Sequence, residues 1–283
     1  MKTRIIRSLW LLAVFVCAIN FCSCRNPKSQ KLFSFAVVAD IQYADKETEG
    51  KRFYRKSLSN LERCVDDLNS RDLLFTIQLG DIIDGSESRQ RTKTDLEKVL
   101  SVFNRLNMPK IHVVGNHCLV AGRELISQEL GLEKFYYDFY FPEAEDWRFI
   151  VLDGNDAGYG ILSDTQLTWL NLKLFDSREK GERIIIFCHY PALEAAALNH
   201  RLDEPGPLLE VMDKYDSVVA YITGHDHAGG YALRHDVHHI TMHGMVEAPY
   251  KNAYAVIEVY PEMLKLIGYG VQPSRELAIP KRR

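Results

Sequence analysis

Phe35-Ala-Val-Val-Ala-Asp-Ile-Gln42 runs an apolar, β-prone segment directly into two side chains that bind hard cations. The same juxtaposition recurs four times. Leu74-Phe-Thr-Ile-Gln-Leu79 precedes Gly80-Asp81, and Ile111-His-Val-Val114 precedes Gly115-Asn116-His117. Ile184-Ile-Ile-Phe-Cys188 precedes His189, and Val218-Val-Ala-Tyr-Ile-Thr223 precedes Gly224-His225-Asp226-His227. Ligating side chains placed where buried strands end imply one metal site assembled from the whole fold.

The segments between these clusters suggest how the strands connect. Leu58, Leu61, Val65 and Leu68 recur at helical spacing over 51–69, and a strand is expected over 73–79. A helix over 92–107, closed by Pro109, leads to a strand over 110–114. This β-α-β-α-β start predicts a mostly parallel sheet with right-handed crossovers. A helix is expected over 124–130, an aromatic strand over 135–141 and an edge-like strand over 147–152. Ser163-Asp-Thr-Gln166 reads as a capping box opening a helix to about residue 175. Leu167, Leu170 and Leu174 form its buried face, widened by Trp169 and Phe175. Beyond His227 the spacing becomes that of strands, over 230–234, 238–242, 253–260 and 263–268, read as an antiparallel meander. The fold class expected is α/β, a four-layer αββα sandwich of two mixed β-sheets flanked by helices.

The bulk properties fit a globular enzyme. With 46% hydrophobic and 26% charged residues the composition is ordinary, and no repeat or Gly/Ser/Pro-rich linker divides the 283 residues. Residues 32–283 read as a single domain. Ahead of it, Lys2, Arg4 and Arg7 precede an apolar stretch from Leu9 to Ile19, too short for an ordinary membrane span. Residues 1–24 read as a secretory signal whose end, Asn20-Phe-Cys-Ser-Cys24, resembles a loose lipobox, with 25–31 as a tether. Lipidation at Cys24, with plain cleavage as the alternative, places the domain in a bacterial cell envelope, reaching the membrane through its anchor alone.

Loss of the three basic leader residues takes the formal net charge from −3 to about −6. An acidic domain without a basic stripe does not suit nucleic acid, so a phosphate-bearing partner must be drawn by bound metal. The mature domain carries Cys64, Cys118 and Cys188 besides Cys24, which is no disulfide framework. Cys118 and Cys188 stand beside His117 and His189; on a strand Cys188 faces away from its neighbour, and both read as small buried hydrophobes rather than soft ligands.

Asp40 and Gln42, two apart on an extended segment, are expected to point the same way, as are His225 and His227 with Asp226 turned aside. Carboxylate and amide oxygens are hard ligands and imidazole is borderline. Gly80 allows a tight turn at Asp81. His112, His200, His235, His238, His239 and His243 are assigned to surface or packing roles.

The ordered series D-x-Q, G-D, G-N-H, H and G-H-x-H resembles the calcineurin-like metallophosphoesterase family from about residue 33 to 270. The resemblance implies two divalent ions, one held by Asp40, Gln42 and His227, the other by Asn116, His189 and His225, with Asp81 bridging. His117 is left as the catalytic residue at the leaving oxygen. Ala39-Asp-Ile-Gln-Tyr-Ala-Asp45, Gly80-Asp-Ile-Ile-Asp-Gly85, Arg52-Phe-Tyr-Arg-Lys-Ser-Leu58 and Gly229-Gly-Tyr231 narrow it toward manganese-dependent ADP-ribose/CDP-alcohol diphosphatases. Gln42 stands where most members have His, and an amide oxygen favours Mn²⁺ or Mg²⁺ over Zn²⁺. Mn²⁺ is the expected ion, with Mg²⁺ or Fe/Zn as alternatives.

Two positions depart from the pattern: Cys118 stands where an acidic residue is common, and Asp226 where Thr is usual. The implied substrate is a small nucleotide diphosphate adduct, with Tyr43, Arg52, Phe53, Tyr54, Arg55 and Tyr190 as candidate contacts. Two other readings compete: a broad phosphodiesterase or phosphomonoesterase on the same scaffold, and a lipid-anchored binding protein without catalysis.

Overall fold

The computed structural model of the chain describes residues 30–280, so the leader expected over 1–24 and most of the tether lie outside the described residues. Strand β1 (Phe33–Val38) shows why the apolar runs need no polar face. Phe33, Phe35, Val37 and Ala39 enter one apolar cluster, while Ala36 and Val38 enter another. Alternation with period two therefore buries both faces, one against a second sheet and one against helices.

From there the chain continues through α1 (Tyr54–Asn69), β2 (Thr76–Gln78), α2 (Arg89–Phe103), β3 (Lys110–His112), α3 (Arg123–Leu130), β4 (Tyr137–Phe139) and β5 (Trp147–Val151). It then forms α4 (Asp164–Lys180), β6 (Arg183–Phe187), α5 (Pro205–Met212), β7 (Val218–Thr223), β8 (Ala228–Arg234), β9 (Val237–His243), β10 (Ala253–Tyr260), β11 (Met263–Gly270) and β12 (Arg275–Ala278). One six-stranded sheet has the order β12-β11-β10-β1-β2-β3, the other β4-β5-β6-β7-β9-β8. Strands β1, β2 and β3 are parallel, as are β5, β6, β7 and β9; antiparallel strands complete both sheets. The expected αββα sandwich is thus the fold, with α1 and α2 over one outer face and α4 and α5 over the other.

Between the sheets lies an aromatic stack. Phe35 and Phe75 pack face to face at 4.7 Å, and Phe75 meets Phe149 edge-on at 5.0 Å. Each ring is fully buried, a contribution of about 2–3 kcal/mol apiece.

Several elements differ from expectation. Strand β5 lies inside its sheet, between β4 and β6, because its fully buried run needs neighbours on both sides. The expected meander is divided: β9 pairs in parallel with β7, whereas β10 closes the open side of β1. Helix α4 continues to Lys180, where Gly181 takes a left-handed φ of 71° and ends it. Only half of its capping box forms. Ser163 Oγ accepts from Gln166 N at 3.1 Å, but the Gln166 side chain bonds both backbone groups of Asp153 instead. Phe175 is 47% exposed beneath the Arg178 guanidinium, not part of the core, and Trp169 is only partly buried against Tyr136.

Candidate metal centre

All five clusters follow the carboxyl ends of parallel strands. Asp40 and Gln42 leave β1, Asp81 leaves β2, and Asn116 and His117 leave β3. His189 leaves β6, and His225 and His227 leave β7. The two sheets open toward the same end of the sandwich, so side chains far apart in sequence converge there.

The backbone beyond the strands is not extended. Asp40 (φ 49°), Gln42 (φ 41°), Asp81 (φ 49°) and His225 (φ 68°) all adopt the left-handed region. The same-face argument for Asp40 with Gln42, and for His225 with His227, is therefore corrected: tight turns, not strand pleats, aim these groups. Such conformations cost roughly 1–3 kcal/mol each and persist where the surroundings impose them. Here the surroundings are hydrogen bonds: Gln42 N donates to Asp81 O at 2.8 Å and Tyr43 N to Ile82 O at 3.2 Å, carrying the β1–β2 pairing past the strand ends. Gly80 (φ 101°) has room for no side chain, since a Cβ would run into the His189 ring. At Gly224 a Cβ would come 2.5 Å from Asp40 Oδ2.

Buried Asp81 and His189 and partly buried His225 form a tight group whose ligating atoms all lie within 4.8 Å of one another. His189 Nε2 is 3.1 Å from Asp81 Oδ2, 3.2 Å from Asn116 Oδ1 and 3.0 Å from His225 Nδ1. His189 Nδ1 donates to Leu79 O at 2.9 Å, which aims Nε2 inward. The second half of the centre is looser. His227 Nε2 lies 3.6 Å from Asp40 Oδ1, and its Nδ1 is 3.0 Å from Glu247 Oε1. Gln42 is buried, and its Oε1 has no hydrogen-bond partner.

A buried amide oxygen without a donor is costly and rare; a cation bound to it would satisfy it. Protonation tells the same story. Burial favours a neutral His227, yet the nearby carboxylates of Asp40 and Glu247 outweigh it and raise the imidazole to about 10. Burial likewise opposes the charged form of Asp81, but the His189 charge holds its carboxyl well below the usual range. Burial, then the charge of His189, push His225 down to about 3. The excess protons sit where divalent cations would displace them. The residues present fit a pair of hard cations.

His117 stands apart from this cluster. Its backbone N donates to Asp81 Oδ1 at 2.8 Å, and its Nδ1 lies 2.9 Å from Asp84 O and 3.1 Å from Asp84 Oδ1. Burial would lower the imidazole, but Asp84 and Asp81 prevail and raise it to about 9. Asp84 is itself paired with Lys46, and Arg52 Nη1 reaches within 3.9 Å of it.

The candidate substrate contacts separate. Tyr43 is buried in the core beneath α1 and α2 and faces no open space. Tyr190 is also enclosed: its hydroxyl donates to Asn155 at 2.9 Å, and its ring lies against His189 and His225. Tyr54 is buried under Lys46, and Arg55 is paired with Asp45 and Glu47. Arg52 remains at the mouth, with Phe53 partly exposed beside it.

Spacing did not reveal Glu247, which arrives on a short turn after β9, nor Asn155, which ties Tyr190 to Val114 O. Asp84 carried a signal, falling three residues after Asp81. His200, assigned to packing, has its ring 5.6 Å from that of His225 and its Nδ1 3.5 Å from Asp226. Cys118 and Cys188 are buried and unpaired, as small hydrophobes would be.

The comparisons agree with this geometry. The model of the calcineurin-like phosphoesterase family matches residues 33–229. A manganese-dependent ADP-ribose/CDP-alcohol diphosphatase from Oryza sativa subsp. japonica is 31% identical, over 88% of this chain and 94% of the relative. The protein of that name from Homo sapiens is 30% identical, over 91% and 96%. The crystal structure of a dimetal phosphatase from Danio rerio superposes with a TM-score of 0.78 at 26% identity, covering 89% of this chain and 100% of the other. With the family's model spanning most of the described residues and the fold and site in agreement, this chain belongs to the calcineurin-like phosphoesterase family.

Proposed function

We propose that the chain is a dinuclear-metal phosphohydrolase that cleaves the pyrophosphate bond of nucleoside diphosphate adducts, ADP-ribose and CDP-alcohols being the compounds for which its relatives are named. The observation that carries this reading is the unpartnered, buried Oε1 of Gln42, two residues beyond Asp40 on the turn that leaves β1. It supports a hard first site of Asp40, Gln42 and His227. Asn116, His189 and His225 would hold the second ion and Asp81 would bridge.

When bound, such ions acidify a water and neutralise charge on phosphoryl oxygens. The chain's own part is positioning and proton delivery. Buried Asp40, Gln42, Asp81 and His189 exclude bulk water from one wall of the site. The Nδ1–H of His117 is committed to Asp84, which leaves Nε2 to donate a proton to the departing oxygen. Arg52 stands where it can meet a second phosphate.

Side-by-side kinetics of manganese-loaded protein on ADP-ribose, CDP-choline, a cyclic nucleotide and an aryl phosphate test the reading. The expected order puts the two pyrophosphates first; higher kcat/KM on the aryl phosphate would replace it with a broad phosphatase. Zinc restoring metal-free protein better than manganese would overturn the hard first site.

The leader motif supports an exported, lipid-anchored form. Cys24→Ala should then release the protein from the membrane fraction, and unchanged fractionation would leave plain cleavage as the better account.

A further inference from the structure

Tyr250 is the most exposed aromatic side chain described, at 79%, and it does not stand alone. Its ring centroid lies 6.3 Å from that of Phe53 at a tilt of 57°, and Lys56 Nζ sits 4.2 Å from the centre of its ring. Tyr250 is exposed and Phe53 partly so, which leaves an aromatic face with a neighbouring cation turned to solvent.

The pair is tied to the metal centre from two directions. Phe53 N donates to Val246 O at 3.0 Å, and Val246 N donates to Asp40 O at 3.0 Å. Tyr250 follows Glu247, the partner of His227, by three residues, no more than about 11 Å of backbone. Arg52, the residue before Phe53, brings its Nη1 to 3.9 Å from Asp84 Oδ1, which in turn lies 3.1 Å from His117 Nδ1. His117 with Asp84, then Arg52, then the two rings is a series that suits a nucleoside diphosphate, whose scissile phosphate, other phosphate and base follow one another.

We propose that Tyr250 and Phe53 form the face on which the nucleobase of the substrate stacks, with Lys56 flanking it and Arg52 holding the phosphate between base and metals. The assignment rests on the diphosphatase reading above for its substrate class. It replaces Tyr43 and Tyr190, which are enclosed by protein, with exposed Tyr250 and partly exposed Phe53. Stacking tolerates different bases because each has a π-face, so adenine and cytosine adducts could share the platform.

Calorimetric titration of manganese-loaded protein with adenosine 5′-monophosphate and with inorganic phosphate tests it without turnover. Wild type should bind the nucleotide at least about ten-fold more tightly than phosphate. Tyr250→Ala should remove most of that advantage while leaving phosphate affinity unchanged, and Tyr250→Trp should keep it. Equal affinities in wild type, or an undiminished advantage in Tyr250→Ala, would overturn the platform. Failure of the diphosphatase reading shows separately, as absence of ADP-ribose and CDP-choline hydrolysis by wild type. Nucleotide-selective binding without that hydrolysis would keep the platform and discard the reaction.

Discussion

Glu247 supports His227 from behind: its Oε1 lies 3.0 Å from Nδ1, while the opposite ring nitrogen faces Asp40 Oδ1 at 3.6 Å. A carboxylate in this place fixes ring orientation and raises ligand basicity. Glu247→Gln should weaken manganese binding about 10–100-fold with little change in thermal stability of the metal-free protein. Calorimetric titration with Mn²⁺ measures it; an unchanged dissociation constant would reduce Glu247 to a surface acid.

His117 is oriented by Asp84 and touches none of the buried imidazoles. His117→Ala should therefore retain metal yet lose on the order of 10²-fold or more in kcat. Asp84→Asn should lose less, because the backbone carbonyl still holds Nδ1 at 2.9 Å. Metal content by elemental analysis alongside kcat separates this from ligand loss, and normal turnover of His117→Ala would remove it from catalysis.

Away from the site, Arg148 is nearly buried and meets Asp138 at 2.8 Å, Glu182 at 2.8 Å and Asp176 at 3.1 Å. Removing the cation takes its partner from partly buried Glu182, while Lys173 still pairs with Asp138 and Lys180 with Asp176, each at 3.0 Å. Arg148→Ala is expected to cost about 3 kcal/mol by chemical denaturation. Arg148→Met, which keeps the packing but not the charge, should recover only part of it.

Burial and, secondarily, the charge of Lys110 push the His112 imidazole down to about 4. The unfolded chain takes up that proton at its ordinary value near 6.5, so between about pH 6.5 and 4 the unfolded state binds more protons. Stability contributed by neutral His112 is present above pH 6.5 and lost progressively toward pH 4, by on the order of 2–3 kcal/mol. In metal-free protein, His112→Gln should gain on wild type across that window. Parallel denaturation curves at both ends would show that the buried ring does not titrate as described.

The sandwich was legible because its strands bury both faces, which demands long apolar runs such as Ile184 to Cys188. What hid was pairing partners. Nothing in Ala253 to Tyr260 says that it closes against β1 rather than continuing from β9, and β12 contains Arg275 and Glu276, residues that signal no strand. The site was legible as an ordered set of ligand types, yet the geometry offered for it was wrong at Asp40, Gln42 and His225. Their side chains converge through left-handed turns, and neither periodicity nor propensity forecasts such turns at Asp or His. Glu247 escaped because its role is set by where a short turn places it. Tyr43 and Tyr190 sat in motifs that implied exposure, whereas the packing of α1, α2 and the imidazoles encloses them.

The order of strands has one more consequence. Strand β1 lies between β2 and β10, so the middle of its sheet requires residues 33–38 to meet residues 253–260. Neither sheet is complete in either half of the chain, since β4 and β5 belong with β6 to β9, and β10 to β12 belong with β1 to β3. Closure of the sandwich therefore waits until residues 253–260 have been made, and its rate is set by the search for very distant partners. Until β10 emerges, β1 carries an unpaired edge that another copy could occupy. The period of greatest aggregation risk is thus the lifetime of the incomplete chain, and a factor that shields that edge would raise yield without touching the stability of the finished fold.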